Sequence, residues 1–159
     1  MRPSGDIFSP YYPAFSGAQG PVDCVWVISV YEGNKIAIGF NEFDLNSDDN
    51  CVTEYVELRD GPSETSRLLG RYCISAPMVV RGSTDTLWMR YYTIGTGSKG
   101  FEATWTTMKQ TLKPMKPSGK PSTGSVPHPP SKFHPMIICQ FNSPLDSNKH
   151  TYALGTVIY

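Results

Sequence analysis

The sequence predicts an all-β protein: an antiparallel sandwich of two sheets, followed by a C-terminal tail that is largely without regular structure. Three observations carry this. Short apolar runs alternate with period two and are separated by turn residues. No run of helical length has a clean apolar stripe. Cys51 and Cys73 bracket two strand-like runs with Asp60-Gly61 between them, so a bridge there would pin a β unit.

The elements follow in order. Residues 1–23 read as loop and short extended pieces, because the prolines around Tyr11 and Tyr12 favour extended backbone before them. Cys24 to Val30 is a strand with Cys24, Trp26, Ile28 and Val30 on one face. Ile36, Ile38 and Phe40 alternate in a second strand, whose phase shifts at Glu42-Phe43 in the manner of a bend or bulge. Residues 46–50 are a polar loop. Tyr55 to Leu58, the Leu68-Leu69 pair, Met78 to Val80, Leu87 to Tyr91 and Phe101 to Trp105 complete the strands. Trp26 and Trp105 share phase with core positions. Trp88 lies opposite Leu87 and Met89 and is expected to be the more exposed tryptophan, on a half-covered sheet face or in a contact role.

Beyond residue 108 the alternation fails. Residues 110–135 contain seven prolines and a single aromatic residue, Phe133, and read as an extended linker. The expected division is a domain over 1–108, a Pro/Lys/Ser-rich linker over 109–135 and a short apolar tail over 136–159. That tail holds too little sequence for a domain of its own. It reads as the start of a further module, as sequence foreign to the domain, or as a strand docked back onto the sandwich.

Charge separates along the chain although the formal net charge is 0. Residues 1–108 hold 8 Lys/Arg against 13 Asp/Glu, and residues 109–159 hold 6 against 1. The basic residues of the front are scattered and those of the tail diluted among prolines, which excludes a nucleic-acid surface. No stretch approaches the ~20 apolar residues of a membrane helix. Met1 to Gly5 lacks the apolar core of a secretory leader, so the chain is expected to be a piece that starts inside a domain. Histidine is absent from residues 1–127, which removes it as a general base in the folded domain. His128, His134 and His150 have no zinc spacing with Cys139, and no nucleophile elbow or phosphate loop is present. No enzyme activity is expected.

Residues 4–106 resemble a CUB domain. The resemblance rests on Ser9-Pro10-Tyr11-Tyr12-Pro13, Cys24-Val25-Trp26, Ile36 to Phe40 with Phe43, Cys51, Tyr55 to Leu58, Asp60-Gly61, Leu69 to Cys73, Leu87, Tyr91 and Gly100-Phe101. It implies a jelly-roll-like sandwich that acts as an extracellular module binding protein or, in some members, carbohydrate. Such modules occur in developmental and complement proteases and in endocytic and neuronal receptors. The usual two bridges join first cysteine to second and third to fourth. The resemblance therefore implies a Cys51–Cys73 disulfide, with Cys24 as the second cysteine and its partner upstream of Ser4. Cys24 is then expected to be a buried thiol beside a frayed first strand. Pairing with Cys139 and bridging between chains remain as alternatives.

The calcium-binding members of the family place one acid five residues before the third cysteine, one three residues after it, and one in the loop before the Gly-Phe strand. Those positions here are Asn46, Glu54 and the acid-free loop Thr93 to Lys99. The expectation is no cofactor and no metal site, with Glu54, Asp44 and Asp49 as the ligand set if calcium does bind. The expected contact surface comprises Tyr11, Tyr12, Asp44, Asn46, Asp48, Asp49, Glu54 and Trp88. Its acidity favours a basic extracellular protein as partner. The expected function is a non-catalytic extracellular interaction module of a larger secreted protein. The alternatives are a substrate-recruiting or regulatory module of a secreted protease, and a structural or storage protein without a specific partner.

Overall fold

The structure is a computed structural model and describes residues 4–13, 20–45, 50–95, 97–109 and 136–141. Among the described residues nine strands form two sheets: β1 (Ser4–Phe8), β2 (Val22–Ser29), β3 (Asn34–Asp44), β4 (Glu54–Asp60), β5 (Arg67–Tyr72), β6 (Val79–Arg81), β7 (Thr86–Thr93), β8 (Gly100–Lys109) and β9 (Met136–Phe141). One sheet has the order β1-β8-β3-β6 and the other β5-β4-β7-β2-β9. Every pairing is antiparallel.

The predicted alternation becomes the core. Cys24, Trp26 and Ile28 of β2 face inward, as do Ile36 and Ile38 of β3, Val56 and Leu58 of β4, Leu87, Met89 and Tyr91 of β7, and Phe101, Ala103 and Trp105 of β8. Phe101 sits at the centre. Its ring is edge-on to Trp26, Phe40 and Tyr91 at centroid distances of 6.1, 6.0 and 5.4 Å, the geometry that aromatic quadrupoles favour. The phase shift in β3 is a register shift between Phe40 and Glu42 against β8. It keeps both Phe40 and Phe43 against the core, with their rings 5.3 Å apart. Gly100 opens β8 at φ 95°, and a Cβ there would lie 1.9 Å from the Ser9 hydroxyl oxygen. The close approach lets the Phe101 amide donate to that hydroxyl at 3.0 Å while the Ser9 amide donates to the Phe101 carbonyl at 3.0 Å.

Cys51 and Cys73 are bonded, as expected. Two other expectations are corrected. Cys24 is not a thiol: of the alternatives, pairing with Cys139 is the one found. Of the three readings of the apolar tail, Met136–Phe141 follows the strand docked back onto the sandwich, pairing with β2 in a register that sets Cys139 opposite Cys24. The unpaired edge of β2 explains this, since a bare row of amides and carbonyls beside a buried cysteine accepts a strand that brings both ladder partners and a second sulfur. The first strand is not frayed: β1 pairs with β8 from Ser4 to Phe8, and the Thr104 hydroxyl donates to Asp6 at 2.8 Å. The readings of 110–135 and 142–159 lie outside the described residues.

Candidate functional site: the acidic loop end

The strand registers bring one set of chain segments to the same end of the sandwich. Glu54 opens β4 opposite Thr93, the last residue of β7, and Val22 opens β2 opposite the same Thr93. Asp44 closes β3 opposite Gly100, and Phe8 closes β1 opposite Glu102. The turn Ser9 to Pro13, the segment Asn50 to Thr53 with its disulfide, and the loop after Thr93 therefore converge here.

Glu54 is fully buried. Its carboxylate accepts the Tyr91 phenol at 2.6 Å and the Ser98 hydroxyl at 2.5 Å. Burial first, and then the neighbouring Glu54 charge, push the Tyr91 phenol well above the ordinary tyrosine range. Beside this cluster, Tyr12 donates to Glu42 and, at 3.4 Å, to Glu102. The Lys99 ammonium pairs with the other oxygen of Glu42 and lies 5.8 Å from the centroid of the Tyr12 ring. The acid-free loop after β7 thus contributes a hydroxyl donor and a cation. Among the described residues, no group of three or more His, Cys, Asp or Glu could hold a metal ion.

Tyr11, Tyr12, Asp44 and Glu54 lie at this end; Tyr11 is exposed with φ 67° and Asp44 is exposed, but Glu54, expected on the contact surface, is corrected to a buried residue whose carboxylate is turned to internal donors. Asn46, Asp48 and Asp49 lie outside the described residues. Trp88 lies on the outer sheet face, mid-strand on β7 between Val27 and Arg59, but that face is covered rather than half-covered at this point, and the residue is only 6% exposed. An interior strand with long cross-strand neighbours covers an indole even on the outer face of a sheet.

That outer face is an interlocked charged and aromatic layer, which the sequence pattern alone does not reveal. Arg90 makes a two-pronged pair with Asp23, with nitrogen–oxygen distances of 2.8 and 2.6 Å. Glu57 accepts from Arg59 and Arg71, and Arg71 lies 4.2 Å over the Tyr55 ring. Burial alone would raise the Glu57 carboxyl, but its two arginines hold it below the usual range. Glu42, Ser98, Lys99 and Glu102 were missed at the loop end. Glu42 and Glu102 lie on polar positions of β3 and β8 that read as solvated until the partner strand is known, and Ser98 and Lys99 lie in the loop before β8, where no periodicity marks them.

Comparison with known proteins agrees with the architecture. The family model described as "CUB domain" matches residues 1–105. The chain is 41% identical over 101 residues to Tolloid-like protein 1 of Homo sapiens, covering 62% of this chain and 10% of that protein. It is 39% identical over 99 residues to Bone morphogenetic protein 1 of Xenopus laevis, covering 62% and 14%. Among solved structures, it superposes on the CUB1-EGF-CUB2 domain of human MASP-1/3 with a TM-score of 0.57 at 23% identity, covering 67% of this chain and 42% of that one. The MASP-1 CUB2 domain bound to Ca2+ gives 0.54 at 20% identity, covering 64% and 90%. The structural likenesses establish the fold alone, and the chain spans a small fraction of the curated relatives it matches.

Proposed function

This chain belongs to the CUB domain family, and we propose that its acidic loop end binds a basic extracellular protein without the help of calcium. As a CUB domain it is a non-catalytic extracellular module, so its work is recognition. The single observation carrying the calcium-free reading is Lys99. Its ammonium lies among the loop-end acids and is paired with Glu42, where an ion-dependent site needs a further anionic ligand. Calcium takes six to eight oxygens, mostly from carboxylates. Here the buried Glu54 carboxylate already accepts two hydroxyl donors, and the donor set among the described residues does not fit the ion. The end nevertheless stays acidic. Among its described residues Glu42, Asp44 and Glu102 are at least partly exposed, and the Lys99 ammonium pairs with Glu42 alone. Fixed negative potential of this kind steers a basic partner and weakens with salt.

Binding of poly-L-lysine to the full, immobilised chain tests this. The expected result is equal binding in calcium and in EDTA, falling with added salt and falling severalfold in Asp44→Lys. Binding that requires calcium, or that Asp44→Lys leaves untouched, overturns the proposal. A finer reading uses the same surface: a module that recruits substrate to a secreted protease. The family's occurrence in developmental and complement proteases supports it.

A further inference from the structure

Three branched aliphatic side chains stand in water at the same loop end. Val52 is 63% exposed, Ile74 61% and Ile94 50%. Single exposed aliphatics are ordinary, but these three are tied together. Val52 and Ile74 each follow a cysteine of the Cys51–Cys73 bridge, whose Cα atoms are 5.3 Å apart. The Ile94 amide donates to the Thr53 carbonyl at 3.0 Å, fastening the loop after β7 to the residue next to Val52. A disulfide and a cross-loop hydrogen bond thus hold three apolar side chains on a frame that needs little further ordering when a partner arrives.

The neighbours say what that partner looks like. Asp44 is exposed at the end of β3 in the facing sheet, and Glu42 and Glu102 lie behind it. Packed sheets stand ~10 Å apart, a gap that a lysine or arginine next to an apolar residue spans. We infer that Val52, Ile74 and Ile94 form an apolar docking surface for an extracellular protein segment in which an apolar side chain sits beside a basic one. The basic side chain meets the loop-end carboxylates and the apolar one covers the aliphatic cluster. This rests on the loop end being an interaction surface. It adds an apolar specificity that a purely electrostatic contact lacks.

Three capped hexapeptides serve as probes, each in a glycine background: one with adjacent leucine and lysine, one with lysine alone, one with leucine alone. Methyl NMR of the full chain reads the resonances of Val52, Ile74 and Ile94. The leucine–lysine peptide should shift all three saturably and bind on the order of tenfold tighter than the lysine peptide, as partial burial of one leucine supplies. Val52→Ser with Ile94→Ser should abolish that advantage while leaving the salt dependence of lysine-peptide binding intact. Both positions are exposed, so the fold tolerates the change. Equal binding of leucine–lysine and lysine peptides, with the methyls unmoved, overturns this inference and leaves the basic-partner proposal standing. Equal binding of the leucine–lysine and leucine peptides, with the methyls moved, overturns the basic-partner requirement and keeps the apolar surface. No shift with any peptide overturns both.

Discussion

Replacing Glu54 separates a structural carboxylate from a metal ligand. The side chain is fully buried and accepts from Tyr91 at 2.6 Å and Ser98 at 2.5 Å. Hydrogen bonds to a charged acceptor contribute about 1.5–3 kcal/mol each. Glu54→Ala loses both, strands a buried phenol and leaves a cavity, so a loss of about 3–5 kcal/mol is expected. Glu54→Gln keeps a carbonyl acceptor of nearly the same shape and should cost about 1–2 kcal/mol, the difference between charged and neutral bonds. Urea unfolding under non-oxidising, non-reducing conditions measures both, with unchanged slope as the sign that the folded state is intact. The decisive comparison is each variant in calcium and in EDTA. A carboxylate serving an internal network that includes Tyr91 and Ser98 gives the same loss in both. A wild-type chain that calcium stabilises, with the gain erased in Glu54→Ala, would refute the assignment of this carboxylate to an internal network. So would a Glu54→Ala loss below about 1 kcal/mol.

Other consequences can be measured independently. Asp60 is 7% exposed and accepts from Arg67, from the amides and hydroxyls of Ser83 and Thr84; burial alone would raise its carboxyl, but these donors hold it far below the usual range. A depressed folded-state value means stability that is present above the unfolded carboxyl range near ~4 and is lost as pH falls below it. Acid titration of stability should therefore be shallower in Asp60→Asn, and an unchanged acid slope contradicts the assignment. Tyr91 runs the other way. Its raised value gives stability that is present below ~10 and is lost as pH rises beyond, so alkaline destabilisation should shrink in Tyr91→Phe, as thermal unfolding across that range would show. Non-reducing peptide mapping should recover Cys24–Cys139 as well as Cys51–Cys73, and two free thiols at 24 and 139 would remove β9 from the sheet. The bridge between positions 115 residues apart constrains the unfolded chain by about 5 kcal/mol in the loop-entropy account, so Cys24→Ser with Cys139→Ser should lower Tm markedly.

The strands were legible because burial on one face writes period two directly into the residues: Trp26, Ile38, Met89 and Trp105 all fell where the alternation placed them. The bulge in β3 was legible for the same reason, since Phe43 breaks phase with Phe40 and both must reach the core. Long-range matters were less so. Nothing local to Cys139 shows that it lies opposite Cys24, because the register is decided by an edge more than a hundred residues away. Trp88 was misjudged because period two names the face but not its cover, and that cover is supplied by β2 and β4. At the site, Glu54 and Tyr12 were found through the family resemblance, which marks their positions relative to the cysteines and the amino-terminal loops. Glu42 and Lys99 were not, because an ion pair between strand and loop leaves no pattern in either.

The internal cation changes what recognition at this end requires. A loop cluster organised by a bound metal is assembled only when the ion is present, so its affinity for a partner inherits the ion's occupancy. Here the loop after β7 is fastened by the Ser98–Glu54 hydrogen bond, the Lys99–Glu42 pair and the Ile94–Thr53 backbone bond, all supplied by the chain. The adjoining segments are held by the Cys51–Cys73 bridge. Lys99 offsets only one of the three partly or fully exposed carboxylates among the described residues here, so it orders the loops without neutralising the field that attracts a base. Lys99→Met should therefore act in two opposed ways: it should raise the negative charge and speed association of poly-L-lysine, yet loosen the loop and speed dissociation. Surface plasmon resonance resolves the two rates. Faster association with unchanged dissociation would mean that Lys99 tunes charge alone, and that the loop is held in place by its other fastenings.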